Sequence, residues 1–296
     1  MKTFLGVIGG SGVYDVPGLA KANWTRVSTP WGEPSGELLL GELSGLPIAF
    51  LPRHGRGHKN SPGGINYRAN IDALKRVGVT DLVSLSACGS LKEELPPGTF
   101  VLADQFIDRT FSREKSFFGN GCVAHVAFAE PVSPLLVEYV ADAARAEKLP
   151  LKLGGTYLAM EGPQFSTLAE SALYRSWGCD VIGMTNMPEA KLAREAELCY
   201  AVVAMVTDYD SWHTEFGTVE VSKVIETLLD NAENAKKLVL RLAETIPRDH
   251  EMCPIGSDRA LEHAIITSAG ARDPALLAKL DAVAGRVLMR TAHKQG

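Results

Sequence analysis

Apolar runs and mixed stretches alternate along this chain in a strand–helix rhythm. Phe4–Ile8, Leu38–Leu40, Ile48–Leu51, Leu82–Leu85, Phe100–Leu102, Gly155–Met160, Val181–Met184 and Ala201–Val206 predict strands. Several are apolar at consecutive positions, the pattern of strands covered on both faces. Between them apolar residues recur at helical spacing. Ile65, Ala69, Ile71, Leu74 and Val77 predict a helix over about 65–77. Another follows Ser166-Thr167, where either residue can cap it and Glu170 can complete a capping box. A third starts near Pro188 and runs through Lys191–Glu197. The longest spans about Val219–Ile246, with Val221, Val224, Ile225, Leu228, Leu229 and Leu238 in register. Pro247-Arg248-Asp249-His250 breaks the pattern, and one more helix is expected over Pro274–Leu288. Strands alternating with helices indicate an α/β fold. With no Ser/Gly-rich linker and no repeat, the expectation is one domain over 1–247 and a C-terminal helical extension, 248–296, packed on it.

Composition narrows this picture a little. The 296 residues are 46% hydrophobic, enough for a sizeable core. Net charge is −5, so no nucleic-acid surface is suggested and an anionic ligand needs a local cationic pocket. The five cysteines are scattered without a Cys-x-x-Cys pair, as buried thiols are in a reducing compartment. The apolar start runs straight into Gly9-Gly10-Ser11-Gly12 and suits a first strand better than a signal peptide. No apolar run approaches the ~18 residues that span a bilayer, and a cytoplasmic location is expected.

Candidate chemistry gathers where the strands end. Thr207-Asp208-Tyr209-Asp210 follows the run Ala201–Val206. Two carboxylates one residue apart on a strand would point the same way. If one ionises, the other's pKa rises, and a carboxyl kept protonated can act as a general acid. A solvated turn or helix cap is the bland alternative. Gly9-Gly10-Ser11-Gly12 can form an anion nest or simply a tight turn. It is neither a dinucleotide fingerprint nor a Walker A loop. Arg53-His54-Gly55-Arg56-Gly57-His58 is a basic loop that can reach an oxyanion or stay solvated. His54 and His58 have a zinc-like spacing, but Pro52 and two glycines oppose a helix and no metal is expected. Ser84–Leu91, with Ser86, Ala87 and Cys88, offers small residues beside which a ligand can approach the backbone. Cys88 reads as a buried thiol, since no base is indicated for it. Phe165 can stack on a flat ring; Ser166 can cap a helix or bind a carboxylate. Met184-Thr185 ends another strand. Ligands of open α/β sheets bind in the crevice beyond the strand ends. A cationic set (Ser11, Arg53, His54), hydroxyls (Ser86, Thr185), an aromatic (Phe165) and two carboxyls (Asp208, Asp210) together suit phosphate, sugar and base.

On these residues the chain resembles the purine nucleoside phosphorylase superfamily. Gly9–Gly12, Arg53–Arg56, Ser86–Leu91, Asp104–Thr110, Glu161-Gly162-Pro163, Met184-Thr185, Pro188-Glu189 and Thr207–Asp210 carry the match, in the family's order, over about residues 3–247. Within the superfamily the similarity is to the enzymes that cleave methylthioadenosine. The resemblance implies a central twisted mixed β-sheet flanked by helices. It assigns phosphate to Ser11, Arg53, His54, Ser86 and Thr185, and the ribose to the neighbourhood of Met184. Ala87 lies in the same substrate-binding stretch. The purine would pack by Phe165, with Ser166 supporting Asp208; Asp208 would address N7 and the 6-amino group, beside Asp210. The 5′-methylthio group would meet His58, Val221, Val224 and Ile225. His125 matches a histidine that, in the family, closes a neighbouring subunit's pocket, and trimers or hexamers follow. Ser11 and Ser86 stand where threonine is usual, Gly183 where asparagine is frequent, and Asn186 is atypical.

The reaction so implied is phosphorolysis of methylthioadenosine to adenine and 5-methylthioribose 1-phosphate. A neutral Asp208 protonates N7, and phosphate attacks C1′. Inorganic phosphate is a co-substrate; no metal or organic cofactor and no nucleic-acid or membrane partner is expected. Alternatives are phosphorolysis of methylthioinosine or other purine nucleosides, a hydrolytic nucleosidase, and a nucleoside-binding module without activity.

Overall fold

The computed structural model describes residues 1–10, 12–213 and 221–292, and only the backbone within 221–224 and 290–292. Strands β1 (Leu5–Gly9), β2 (Ala20–Thr25), β3 (Leu38–Leu43) and β4 (Leu46–Pro52) precede helix α1 (Tyr67–Arg76). Strands β5 (Asp81–Ser90), β6 (Phe100–Leu102) and β7 (Gln105–Arg109) lead to α2 (Pro134–Ala146). Then come β8 (Leu151–Leu153), β9 (Thr156–Met160), α3 (Leu168–Ser176), β10 (Val181–Gly183), α4 (Asn186–Glu195) and β11 (Cys199–Asp208). Helices α5 (Val221–Thr245), α6 (Pro274–Lys279) and α7 (Asp281–Ala292) complete the chain.

The strands form one mixed sheet in the order β2-β3-β4-β1-β5-β10-β9-β7, with β11 on β5 and β6, and β6 on β8. Its two faces are both dry. Along β11, Tyr200, Val202, Ala204 and Val206 enter one core, with Ile71 and Leu74 of α1, Ala190 and Ala193 of α4, and Val283 of α7. Cys199, Ala201, Val203 and Met205 enter the other, with Leu136 and Val140 of α2 and Leu238 and Leu242 of α5. This is why β11 reads as an unbroken apolar run.

The predicted strands are all present, within a few residues at their ends. Four elements are not anticipated by the pattern: β2, β7, β8 and α2. The helix expected over Pro274–Leu288 is two, α6 and α7, parted at Leu280. Thr167, not Ser166, caps α3, and Glu170 closes the capping box. The extension after Pro247 packs on the rest. Leu280, Val283 and Ala284 lie in the first core, Arg286 pairs with Glu197, and Arg76 pairs with Asp281. It also holds the segment around His125: Ala124 bridges Ile265, and the His125 amide donates to the Ala264 carbonyl (2.9 Å). Among the described residues no helix is long and apolar enough to cross a membrane.

Candidate active site

Strand β5 changes partners, and the change opens a crevice. Its residues Asp81–Ser84 pair with β1, and Gly89 and Ser90 pair with β10. Leu85–Cys88 keep β11 on one side but have no strand on the other. A cavity of about 300 Å³ opens at that gap. Arg53, His54, His58, Ser86, Ala87, Phe165, Met184, Thr185, Asp208 and Asp210 all line it.

Arg53 sits at the end of β4, with its side chain only 2% exposed. Its Nε donates to Glu189 Oε2 (2.8 Å) and Nη2 to Ser84 Oγ (2.6 Å) and Glu189 Oε1 (3.2 Å). Nη1 donates to the Leu85 carbonyl (2.9 Å), a carbonyl that the gap in the sheet deprives of a strand partner. Among the described residues the second Nη1–H has no acceptor, and Arg53 lines the cavity. Burial acts against the charge, but the Glu189 carboxylate outweighs it and holds the guanidinium above its ordinary pKa. Glu189 itself is fully buried and also accepts from Ser84 and Tyr200 hydroxyls. Asn186, the atypical residue, belongs to the same network: its Nδ2 donates to Ser84 Oγ (2.9 Å) and Tyr200 Oη (2.7 Å).

His54 is not the cation that its basic loop suggests. Nδ1 faces the Asn60 carbonyl at 2.8 Å, so Nδ1 carries the proton and Nε2 is an acceptor. Burial, with Arg53 and His58 nearby, pushes its pKa down to about 4. The ring stacks on His58 with centroids 4.2 Å apart.

Ser86 Oγ lies 3.2 Å from the Tyr157 hydroxyl and 3.4 Å from Thr185 Oγ1. Tyr157 explains Gly183. A Cβ at 183 would stand 1.7 Å from the Tyr157 hydroxyl oxygen and 2.6 Å from its Cζ. The tyrosine therefore fills the space that a side chain at 183 would need. Gly183→Ala is expected to destabilise the fold by about 1–3 kcal/mol, the usual cost of overpacking. Tyr157→Phe in the same chain should recover only part of that, since Cζ still crowds the methyl group. Thermal midpoints of wild type and the two variants check this; a Gly183→Ala midpoint equal to wild type would refute it.

Asp208 ends β11, where the ladder with β5 slips between Val206 and Asp208. Asp210 is not the next residue of the same pleat. It opens a 3-10 turn with φ of 45°, and its amide donates back to Asp208 Oδ1 (2.8 Å). The two carboxyls reach one cavity through a turn, not through strand alternation. Burial, with the neighbouring Asp210 adding to it, raises the Asp208 pKa against bonds from Thr207 and the Asp210 amide. Burial likewise raises that of Asp210, whose Oδ2 accepts from Ser171 Oγ (2.6 Å). Oδ1 of Asp208 accepts from that amide, and the bond from the Thr207 hydroxyl reaches Oδ2. Thr207 Oγ1 lies 2.8 Å from it and 3.1 Å from the Cys88 carbonyl.

Other expected residues stand elsewhere. The Ser166 hydroxyl donates to Met160 Sδ (3.7 Å), and the pKa it draws down against burial is that of Asp210, not Asp208. Ile225 is 50% exposed and does not line the cavity, whereas Leu228 and Ala232, farther along α5, do. The helical period contained Leu228; the strand-end motifs gave no sign of Ala232. His125 is exposed and does not line the cavity of its own chain. Ser11 and the side chains of Val221 and Val224 lie outside the described residues. Cys88 lines the cavity as a thiol that burial and then Asp208 hold well above its ordinary pKa. No group of three or more His, Cys, Asp or Glu among the described residues is arranged to hold a metal ion.

The register separates the hydroxyl end from the acid end. Ser86 and Gly89, the partner of Asp208, are three strand positions apart, about 10 Å at ~3.3 Å per residue. Met184, Phe165 and Ile182 supply apolar walls to the same cavity, Ile182 as the partner of Gly89. The cavity thus offers oxyanion donors, apolar walls and a buried acid.

A family model described as Phosphorylase superfamily matches residues 4–244. The S-methyl-5'-thioadenosine phosphorylase of Cereibacter sphaeroides is 65% identical over 97% of this chain and 99% of its own. That of Bradyrhizobium diazoefficiens is 66% identical over 97% and 99%. Among solved structures, a methylthioadenosine phosphorylase from an Antarctic soil metagenomic library superposes with a TM-score of 0.89 at 42% identity, covering 95% of this chain and 99% of that one. The Schistosoma mansoni methylthioadenosine phosphorylase in complex with adenine gives 0.82 at 35% identity, covering 92% and 99%.

Proposed function

The chain belongs to the phosphorylase superfamily, and we propose that within it this protein cleaves S-methyl-5'-thioadenosine with phosphate, releasing adenine and 5-methylthioribose 1-phosphate. The observation that carries the reading is a buried carboxyl of raised pKa, Asp208, in one cavity with the spare Arg53 N–H and the Ser86 and Thr185 hydroxyls. Adenine leaves poorly as an anion. Asp208 delivers its carboxyl proton to N7 as the glycosidic bond breaks, help worth about 10²–10⁴ in rate. Phosphate accepts from Arg53, Ser86 and Thr185, and the neutral His54 can accept a hydrogen bond at Nε2 from a protonated phosphate oxygen. Holding phosphate against C1′ converts a bimolecular step into a unimolecular one. The chemistry asks for phosphate and no further cofactor.

The 5′ substituent meets Leu228 and Ala232, which offer no polar partner. A hydroxyl buried there loses hydrogen bonds to water, about 1–3 kcal/mol, whereas a methylthio group gains burial. His125 would act in a neighbouring subunit, in a trimer or hexamer of a cytoplasmic enzyme. Its exposure, away from its own cavity, supports that arrangement.

The test is release of free base from methylthioadenosine, adenosine and methylthioinosine, with and without phosphate. Adenine release should require phosphate, and kcat/KM for methylthioadenosine should exceed that for adenosine by about tenfold or more. Undiminished release in phosphate-free buffer would indicate a nucleosidase instead.

A further inference from the structure

The ladder between β9 and β10 ends at Ala159 and Gly183, and the two chains then part around the cavity. Beyond that point Glu161, Met184 and Met187 have no strand partner among the described residues and Met160 keeps only β7, and buried carbonyls require donors. One guanidinium serves all four. Arg113, from the irregular segment after β7, has a side chain only 1% exposed. Its Nη1 donates to the carbonyls of Met184 (2.5 Å) and Met187 (2.8 Å), and to the Tyr67 hydroxyl (3.0 Å). Its Nη2 donates to those of Glu161 (2.6 Å) and Met160 (3.4 Å). Nε donates to Glu161 Oε1 at 3.2 Å. The other carboxylate oxygen of Glu161 accepts from the amides of Phe111 (2.7 Å) and Ser112 (3.3 Å), gripping the turn that presents Arg113. Burial would push the Glu161 pKa up, but these amides and Arg113 outweigh it and keep the carboxylate ionised.

We propose that Arg113 is a positioning residue for the nucleoside: it pins Met184 and Met160, which both line the cavity just past the last paired residues of β10 and β9, at a fixed separation. This rests on the reading that the nucleoside occupies the cavity. The planar fork is what the task needs. Five N–H groups in a fixed plane span two chain segments at once, whereas a lysine ammonium is a single point. Arg113 touches no reacting atom, so its loss should move substrate affinity and leave the protonation chemistry of Asp208 in place.

The experiment is steady-state kinetics on Arg113→Ala, Arg113→Lys and Glu161→Gln, with folding monitored by circular dichroism. Arg113→Ala should raise the KM for methylthioadenosine at least tenfold while keeping the wild-type shape of the pH profile. Added guanidinium should lower that KM again; methylammonium should not. Arg113→Lys should resemble the alanine variant. Glu161→Gln should raise the same KM less, because the four carbonyl bonds survive. A folded Arg113→Ala with unchanged KM would overturn the proposal. So would a loss confined to kcat that follows only the folded fraction. If Arg113→Ala does not fold, an unchanged KM in both folded Arg113→Lys and Glu161→Gln overturns it as well. Wild-type enzyme run alongside separates the two readings, since absence of any phosphate-dependent turnover there would count against the assigned reaction and not against Arg113.

Discussion

Asp208→Asn should lower kcat on methylthioadenosine by about 10²–10⁴, the range that general acid catalysis supplies. The amide keeps the bond from the Asp210 N–H at its oxygen and can still donate a hydrogen bond. It cannot give up a proton to N7. Asp210→Asn should cost far less, roughly tenfold, because its carboxyl is held by the Ser171 hydroxyl and by the Ser211 backbone of its own turn. The pH profile separates the two further. Burial raises the Asp208 pKa, so the acid stays protonated to higher pH than an ordinary aspartate, and activity falls as pH rises through the raised value. That alkaline limb should vanish in Asp208→Asn and persist in Asp210→Asn. The asparagine variant should also lose less on a 6-oxo purine nucleoside, whose acceptor at C6 suits an amide donor. Equal losses in both variants, or an alkaline limb that survives in Asp208→Asn, would place the acid elsewhere.

Much of this arrangement is legible in the chain, and the exceptions have physical causes. Strands β1, β5 and β11 announce themselves because both faces of the sheet are buried, which turns alternation into continuous apolar runs. Strand β2, Ala-Lys-Ala-Asn-Trp-Thr at the sheet's edge, is largely exposed and leaves no such mark. Helix α2 does carry signals: Ser133 caps it, Pro134 opens it, and Leu136, Val140 and Ala144 share a buried face. Its opening Leu135-Leu136-Val137 crowds apolar residues together and obscures the period. At the site, residue types at strand ends point to the right crevice, but interactions do not follow from types. That Glu189 cancels most of the charge of Arg53 is a contact across 136 residues. That His54 is neutral follows from burial beside Arg53 and His58; the carbonyl of Asn60 works against this and fixes only which nitrogen keeps the proton. The positions of Asp208 and Asp210 depend on a slip in the ladder and a turn that no two-residue period encodes. Arg113 carried no motif at all; what marks it is the four carbonyls it gathers where two strands diverge.

Removing Arg53 should produce two separable losses. One is stability. Arg53 and Glu189 are a buried pair, 2% and 0% exposed, and taking away one partner leaves the other charge uncompensated. Breaking such a pair costs about 3–5 kcal/mol, whereas replacing both members by apolar residues of similar volume is often neutral. Arg53→Met should therefore lower the thermal midpoint sharply, and Arg53→Met/Glu189→Leu should recover much of it. The recovery will be incomplete, because Ser84, Tyr200 and Asn186 also lose a charged acceptor or the network around it. The other loss is phosphate binding. The spare Nη1–H is a charge-assisted donor worth about 1.5–3 kcal/mol to an anion, or about ten- to a hundredfold in phosphate KM. No apolar replacement restores that donor. The phosphate KM should stay raised in the double variant even as its stability returns. If phosphate KM recovers together with the thermal midpoint, Arg53 serves only to hold Glu189, and the anion is bound by the hydroxyls and backbone alone.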